Sequence, residues 1–273
     1  MKNILKYIVK KLSPTYEHHV FIIIKNKIKA GFKKNIENKY LFILCPPYCG
    51  STLINSIIST SNKVSVNNTW STREGQQLPT VRKLMFENEN RWNENHDHNW
   101  QFIKQEWMKY WDLTKPVLLE KSPLNILRAK SIDKIFSNAY YIISYRNPYV
   151  HCEGIMRRNS ASAEYAANFA IKCLEHQKKN IEALNNKIII SYEELTENPQ
   201  KIYDLVSTML PQLLDIQMDQ KFKSHNETNQ NLKIENFNKD KIDRLTDDQM
   251  TIINSIFEKK QELLSFFGYK LIT

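Results

Sequence analysis

A short apolar run that ends in a proline-containing turn, and is followed at once by a helical pattern, constrains this chain more than any other feature. The run is KYLFILC (39–45), the turn is PPYCGST (46–52), and the apolar residues of the helix begin at Leu53. A continuous apolar run of this length is typical of a parallel strand that is buried on both faces. The segment therefore predicts a strand–loop–helix unit within an α/β fold.

Four further candidate strands follow and alternate with helical patterns. The predicted strands are KVSVN (63–67), PVLLEK (116–121), AYYIISY (139–145) and KIIISY (187–192). The predicted helices cover residues 53–60, 78–88, 100–111, 124–136, 150–158, 161–185, 199–209 and 246–267. This alternation predicts an α/β domain with a central, mainly parallel sheet of about five strands flanked by helices on both faces.

The chain of 273 residues is long enough for one large domain or two small ones. Residues 1–38 are basic, carry apolar clusters within 4–9 and 20–24, and are predicted as a helical N-terminal extension. The extension either packs on the domain, as ordinary amphipathic helices do, or lies on an anionic membrane surface. We favour packing, and expect the α/β domain to span residues 39–273. Two polar, Asn-rich segments, 86–100 and 223–240, are predicted as loops or lids.

The formal net charge of +10 favours an anionic partner, although a lysine-rich, soluble surface explains it equally well. No nucleic-acid-binding motif is present, so nucleic acid is not an expected partner. Four cysteines, at 45, 49, 152 and 173, form no C-x-x-C pair and predict buried, reduced thiols. No apolar run has the roughly 18 residues of a membrane span, and the apolar stretch of the N-terminus is too short for a signal peptide. We therefore expect the cytoplasm.

The turn after the first strand has the residues of an anion-binding loop. Backbone N–H groups at a helix start carry partial positive charge, Gly50 allows close approach of a ligand, and Ser51 and Thr52 add hydroxyl donors. The alternative is a turn without a ligand, in which Ser51 or Thr52 caps the helix. The lysine of an ATP-binding P-loop is replaced by Ser51, and the first glycine is missing. This argues against an ATPase or kinase and for a smaller anion than a triphosphate.

Cationic and aromatic side chains follow the later strands. Lys121 ends the third predicted strand, Arg146 follows the fourth, and Tyr192 ends the fifth. Ligands of parallel sheets bind at the carboxyl ends of the strands. The two cations are therefore candidates for anion binding, and Tyr192 is a candidate for stacking on a base. The alternatives are plain salt bridges for the cations and a core position for the tyrosine.

Taken together, the segments PPYCGSTL (46–53), EKSPLN (120–125), SYRNP (144–148), SYEELTENP (191–199) and FFGY (266–269) resemble one family in order and spacing. They resemble the sulfotransferases that use 3′-phosphoadenosine 5′-phosphosulfate (PAPS), and are closer to bacterial and carbohydrate-type members than to the cytosolic small-molecule branch. The resemblance implies a P-loop-like three-layer sandwich, PAPS as donor, 3′,5′-ADP (PAP) as product, and no metal. It implies transfer by in-line displacement to a hydroxyl or amine of a carbohydrate, glycolipid or small metabolite.

The resemblance also implies roles for residues at matching positions. The loop formed by Pro47, Tyr48, Cys49, Gly50, Ser51 and Thr52 would hold the 5′-phosphosulfate. Arg146 would hold the 3′-phosphate, with Gly154 at the position of a second contact. Tyr192 would contact the adenine, and Lys121 would lie near the oxygen that bridges phosphate and sulfate.

Three departures from the family pattern stand out. The family has arginine or lysine at the position of Tyr48, often serine at that of Gly154, and, in the cytosolic branch, a catalytic histidine at that of Pro123. The candidates for replacing the missing charge are Arg73, Arg128, Arg157 and Arg158. Two other functions stay open at this point: a nucleotide-dependent kinase with a degenerate P-loop, and a non-catalytic nucleotide-binding protein on the same scaffold.

A general base is needed to activate an acceptor hydroxyl. Glu74, in WSTREGQQLP (70–79), follows the second predicted strand, and a comparable glutamate serves as base in several carbohydrate and tyrosylprotein sulfotransferases. The alternative is that Glu74 pairs with Arg73 or caps a helix. His96, His98 and His151 are weaker candidates, and the HDH sequence at 96–98 lacks a third metal ligand.

Overall fold

The computed structural model describes residues 14–31, 36–70, 72–223 and 231–272. The strands are β1 (Lys39–Leu44), β2 (Val64–Val66), β3 (Val117–Glu120), β4 (Ala139–Tyr145), β5 (Lys187–Ser191), β6 (Phe222–Lys223) and β7 (Asn231–Leu232). The helices of the first half are α1 (Pro14–Ala30), α2 (Ser51–Ile58), α3 (Arg82–Met85), α4 (Trp100–Tyr110) and α5 (Ala129–Ile135). Those of the second half are α6 (Pro148–Asn159), α7 (Ala163–Ala183), α8 (Tyr192–Glu197), α9 (Pro199–Met209), α10 (Asn238–Ile242), α11 (Asp247–Phe257) and α12 (Gln261–Phe266). Short 3-10 turns cover Gly75–Gln77, Glu89–Trp92, Pro123–Leu127, Pro211–Leu213 and Glu258–Lys260.

The central sheet has the order β2-β3-β1-β4-β5, and every pair in it is parallel. Alternate residues of β1 face opposite sides. Phe42 and Leu44 pack in one hydrophobic cluster, whereas Leu41 and Ile43 pack in another. Both faces of the middle strand are therefore buried, which explains why its sequence is a continuous apolar run. The predicted α/β fold, with a parallel sheet between two helical layers, is confirmed.

The sheet order decides which side chains meet. The β1–α2 loop lies at the centre of the carboxyl edge, with the end of β3 on one side and the end of β4 on the other. Lys121 and Arg146 thus flank the loop. Glu74 follows the outer strand beyond β3, and Tyr192 follows the outer strand beyond β4.

The structure differs from the predicted elements where local hydrogen bonding or proline intervenes. The fifth strand ends at Ser191 because the Ser191 hydroxyl and the Glu194 carboxylate form a capping box, so that Tyr192 begins α8. The helix predicted over 78–88 is reduced to α3, and Leu78, which precedes Pro79, has an extended backbone. The predicted loop 223–240 contains β7 and most of α10 among its described residues.

Helix α1 packs on α4 through its middle. The side-chain amide of Asn26 donates to the backbone oxygen of Tyr110 at 2.6 Å, and Ile22 and Ile23 pack against the hydrophobic cluster on that side of the sheet. Residues 1–13 and 32–35 of the predicted N-terminal extension lie outside the described residues. Within the described part of the chain, no helix is both long enough and apolar enough to cross a membrane.

All four cysteines lie within the described ranges, and each is buried and free. Burial raises the pKa of the Cys45 thiol to about 12, and it also raises the pKa of the Cys49 thiol. Thiols of this kind stay protonated and unreactive near neutral pH. The predicted buried, reduced state agrees with these positions.

Candidate functional site

A cavity of about 530 Å³ opens at the carboxyl edge of the sheet, and the β1–α2 loop forms part of its wall. Its cationic lining side chains are Arg91, Arg146, Arg157, Arg158, Lys233 and Lys241. The acidic ones among the described residues are Glu74 and Glu235. This excess of positive charge suits a ligand with several anionic groups.

The β1–α2 loop presents an uncapped helix start to this cavity. Gly50 is the N-cap residue of α2 and has a φ of 98°, a backbone conformation that favours glycine. No side chain of the described chain caps the helix, so the alternative in which Ser51 or Thr52 caps it is wrong. The cavity is also lined by Pro47, Tyr48, Ser51 and Thr52. The Cys49 side chain is instead buried in the hydrophobic cluster that contains Leu41 and Ile43. The loop retains the features of an anion-binding helix start.

Tyr192 holds the loop against Arg146. A Cβ atom at Gly50 would lie 2.8 Å from a ring carbon of Tyr192, which leaves room only for glycine. The guanidinium carbon of Arg146 lies 3.6 Å from the centre of the same ring, a cation–π contact. The Tyr192 hydroxyl donates to the backbone oxygen of Glu235 at 2.9 Å. Tyr192 lines the cavity, with the Arg146 guanidinium already stacked on its ring.

Arg146 is oriented by a network that the sequence did not indicate. Its Nε donates to Oδ1 of Asn238 at 2.7 Å, and the Asn238 amide donates in turn to the Glu193 carboxylate. The same carboxylate accepts from the backbone N–H of Asn147 at 3.0 Å and from the Tyr269 hydroxyl at 2.9 Å. Burial raises the pKa of Tyr269, and the neighbouring Glu193 raises it further, so this phenol stays protonated and acts as a donor.

One nitrogen of the Arg146 guanidinium is left for a ligand. Arg146 is only 4 % exposed, yet it lines the cavity, and its Nη2 has no hydrogen-bond partner among the described residues. An unpaired, buried donor on a charged group is costly and calls for an explanation. An anion bound beside the loop would supply the acceptor that Nη2 lacks.

Lys121 and Glu74 form an ion pair behind the loop. The Lys121 Nζ lies 3.3 Å from Oε1 of Glu74 and 3.4 Å from the Thr52 hydroxyl, and the lysine is 1 % exposed. The other carboxylate oxygen accepts from the side-chain amides of Gln76 at 2.5 Å and Gln77 at 3.1 Å. Glu74 therefore pairs with Lys121 and not with Arg73. Glu74 and Thr52 line the cavity, while the lysine lies behind them within the described structure.

Glu120, the last residue of β3, fixes the Glu74 segment and was missed in the sequence. Its buried carboxylate accepts from the backbone N–H of Gly75 and the Asn125 amide, each at 3.3 Å, and from the Ser122 hydroxyl. The Ser122 oxygen accepts from the Gln76 N–H at 2.9 Å. Burial raises the pKa of Glu120 to about 7, against the opposite effect of these donors. In the sequence, a glutamate after apolar residues indicates only that a strand ends, so no local pattern predicted that Glu120 would hold the Glu74 segment.

Two of the departures from the family pattern touch each other. A Cβ atom at Gly154 would lie 2.9 Å from the Cβ of Tyr48, so the glycine makes room for the tyrosine. Tyr48 has a φ of 64°, and its hydroxyl donates to Oδ1 of Asn159 at 2.7 Å. The guanidinium of Arg158 lies 5.9 Å from the centre of the Tyr48 ring. Arg158, which also lines the cavity, therefore brings a positive charge close to position 48, where the family has a cation.

Replacing Gly154 with alanine should destabilise the fold by about 1–3 kcal/mol, because the new methyl group overlaps a Cβ close to the backbone. In a Tyr48→Gly background the same replacement should cost almost nothing or stabilise the helix, since alanine is a better helix former than glycine. Urea unfolding of the four proteins of this cycle measures the coupling. An equal cost in both backgrounds would show that the two residues do not constrain each other.

The remaining candidates lie at different distances from the cavity. Arg157 and Arg158 line it, although Glu153 pairs with Arg157 at 2.5 Å. Arg73 and Arg128 are not part of the lining that the described residues form, and Arg128 donates to the backbone oxygen of His96 at 2.7 Å.

The three histidines are poorly placed as bases. Burial lowers the pKa of His151 to about 3 and that of His98 to about 4, and His96 is hydrogen-bonded to Asn88 at 3.1 Å. None of the three lines the described part of the cavity. The described residues also contain no group of three His, Cys, Asp or Glu side chains that would hold a metal ion.

A wall of aromatic rings closes another side of the cavity. Tyr165 stacks on Phe169 with centroids 6.0 Å apart, and Phe169 meets Trp92 edge-on at 4.8 Å. All three line the cavity, together with Phe86. The predicted loop 86–100 thus contributes Phe86 and Trp92 to this wall. Flat apolar surfaces of this kind accept the ring of a ligand.

The sheet is parallel with β1 at its centre, and the loop between β1 and α2 leads into a helix start that no described side chain caps. This arrangement places the protein among the P-loop-like α/β proteins. The chain belongs to the sulfotransferase family: a profile described as "Sulfotransferase family" matches residues 41–210, which is more than half of the chain. The predicted family membership is therefore confirmed. A comparison with curated proteins by sequence found no match.

Three solved bacterial sulfotransferase structures resemble the fold. The sulfotransferase domain of the Synechococcus PCC 7002 olefin synthase has 17% identity and a TM-score of 0.51, over 88% of this chain and 98% of that one. The sulfotransferase of Alicyclobacillus acidocaldarius has 11% identity and a TM-score of 0.54, over 86% and 98%. Sulfotransferase STF9 of Mycobacterium avium has 12% identity and a TM-score of 0.51, over 87% and 79%. At these identities the likeness supports the fold alone.

Proposed function

We propose that this chain transfers a sulfuryl group from PAPS to a hydroxyl or amine of a carbohydrate, glycolipid or small metabolite. Membership of the sulfotransferase family supports the reaction class. The observation that carries the choice of donor is the buried Arg146, whose Nη2 lacks a partner among the described residues although Arg146 lines the cavity. A guanidinium held in one orientation suits the 3′-phosphate that distinguishes PAPS from ATP.

The β1–α2 loop supports the other end of the same donor. The uncapped start of α2 and the hydroxyls of Ser51 and Thr52 suit the 5′-phosphosulfate. Ser51 takes the place of the P-loop lysine, and a sulfate carries less charge than a γ-phosphate, so amides and a neighbouring cation suffice. That cation is Lys121, which lies 3.4 Å from the Thr52 hydroxyl.

Glu74 and Lys121 divide the chemistry of transfer between them. When bound, PAPS supplies a sulfuryl group to the acceptor oxygen and leaves as PAP. Glu74 is positioned at the cavity wall to take the proton of the acceptor hydroxyl, and Gln76 and Gln77 orient its carboxylate. Lys121 holds the carboxylate in place and sets a fixed positive charge beside the loop, where negative charge develops on the leaving phosphate.

The aromatic wall supports an acceptor that contains a ring. Tyr165, Phe169 and Trp92 offer stacked and edge-on faces in the same cavity as Glu74. Sugar rings carry apolar C–H faces that pack on aromatic side chains, and their hydroxyls are abundant nucleophiles. A carbohydrate or glycolipid acceptor therefore fits this wall, as the family resemblance also implied.

The donor assignment predicts a distinct ligand preference. PAP at about 100 times its dissociation constant should stabilise the fold by about 2.7 kcal/mol, whereas ATP with Mg²⁺ at the same concentration should leave the unfolding temperature nearly unchanged. 5′-AMP, which lacks the 3′-phosphate, is the matched control and should bind much more weakly than PAP. Stabilisation by ATP with Mg²⁺ but not by PAP would replace the proposal with a nucleotide-dependent kinase.

Binding of PAP without sulfuryl transfer would support a function other than catalysis. Incubation with ³⁵S-labelled PAPS and a panel of glycans, glycolipids and small hydroxyl compounds should give a labelled product. A protein that binds PAP tightly and labels no member of the panel would favour the non-catalytic alternative.

A further inference from the structure

Helix α1 carries two apolar faces, and only one of them packs on the domain. The inner face contains Ile22 and Ile23, which pack on the hydrophobic cluster, and the buried Asn26. The outer face contains Phe21, Ile24 and Ile28, which are 63%, 53% and 60% exposed. Their spacing of three and four residues places them in one row along the helix. A helix packed by one face usually turns polar residues outward, so this row requires an explanation.

The row is a concentration of exposed apolar surface, not part of a general trend. Among the described residues, twelve large hydrophobic side chains are exposed. Four of them, Val20, Phe21, Ile24 and Ile28, lie in one nine-residue stretch of α1. Single exposed hydrophobic residues are normal on a protein surface, whereas clusters mark contact sites. We call the row of Phe21, Ile24 and Ile28 the outer ridge.

Lysines border the outer ridge on both sides. In helical geometry Lys25 lies beside Phe21 and Ile28 on one flank, and Lys27 lies on the opposite flank beyond Ile24; both are exposed. The sequence before α1 adds Lys2, Lys6, Lys10 and Lys11, and the whole chain has a formal charge of +10. Apolar side chains between lysines are the pattern of helices that lie in the headgroup region of an anionic bilayer.

We propose that the outer ridge docks the protein on an anionic lipid surface, with α1 lying in the plane of the membrane. Phe21, Ile24 and Ile28 enter the boundary of the acyl chains, and Lys25 and Lys27 contact the anionic headgroups. The flanking charge favours an anionic bilayer over an apolar groove in another protein. This inference does not depend on the proposed sulfuryl transfer.

Vesicle flotation tests the docking surface. The full chain should float with vesicles of phosphatidylcholine and phosphatidylglycerol, much less with phosphatidylcholine alone, and less as salt increases. The double variant Phe21→Gln/Ile28→Gln should bind the mixed vesicles about tenfold less. Lys25→Gln/Lys27→Gln should bind the mixed vesicles roughly tenfold less at low salt and should show a smaller preference for anionic lipid.

The control variant removes two exposed hydrophobic residues from other parts of the chain. Leu214→Gln/Ile252→Gln, at positions 63% and 41% exposed, should float like the unaltered protein. Thermal unfolding of every variant verifies that each is folded. Equal flotation of the Phe21/Ile28 variant and the unaltered chain would overturn the proposal. So would dimers in light scattering that dissociate in the Phe21/Ile28 variant, because the ridge would then face a second copy of the chain.

Discussion

Replacing Lys121 with methionine should lower the rate of sulfuryl transfer roughly 100- to 1000-fold, a loss of about 3–4 kcal/mol of transition-state stabilisation. Methionine keeps most of the volume of a side chain that is 1 % exposed, so packing is preserved while the charge is removed. The lysine is the cation that joins Glu74, at 3.3 Å, to Thr52, at 3.4 Å. In the proposed mechanism, its loss removes the fixed charge beside the leaving phosphate and one of the groups that orient the carboxylate.

The binding of PAP separates this effect from unfolding. Because Arg146 and the start of α2 remain, PAP should still stabilise the Lys121→Met protein, so the loss should appear in kcat and not in the dissociation constant of PAP. Lys104→Met is the matched control: Lys104 donates to the backbone oxygen of Ile135 at 2.8 Å, away from the cavity. A Lys121→Met enzyme with unaltered kcat would remove the lysine from the mechanism.

The sheet could be predicted because its information is local. Four of the five parallel strands lie in short apolar runs, and β2 alternates valine with serine, so the length and period of each segment are sufficient to predict the sheet. The errors arose where a side chain acts on its own backbone. The Ser191–Glu194 capping box converts the end of the fifth run into helix, although Tyr192 itself has a high strand propensity.

The positions of candidate site residues could be predicted mainly where these residues follow the ends of strands. Lys121 and Arg146 follow β3 and β4, so topology alone brings them to the loop. Asn238, which orients Arg146, is 92 positions away in the sequence and lies in a segment that reads as a polar loop. No spacing rule connects two such residues. The contact between Tyr48 and Gly154 is of the same kind. Taken alone, each residue suggests that a contact with the donor has been lost, and only the fold shows that Tyr48 fills the space that Gly154 leaves.

Replacing Arg146 with methionine should weaken the binding of PAP by about 2–4 kcal/mol, or roughly 30- to 1000-fold. The guanidinium is stacked on Tyr192 and tied to Asn238, so the cost of orienting it is already met in the protein and each contact with a phosphate adds to affinity. Since 5′-AMP lacks the 3′-phosphate, its binding should change little. The preference of the enzyme for PAP over 5′-AMP should therefore largely disappear in this variant.

Asn238→Ala provides a graded test of the same geometry. It leaves the charge of Arg146 but removes the acceptor that Nε uses at 2.7 Å, so PAP affinity should fall by about tenfold. Arg82→Met is the matched control, because Arg82 pairs with Glu87 on the surface at 2.6 Å, outside the cavity lining. Isothermal titration of the three variants with PAP and 5′-AMP measures both differences. If Arg146→Met kept the full preference for PAP, the 3′-phosphate would have to bind elsewhere in the cavity, with Lys233 and Lys241 as the next cations to replace.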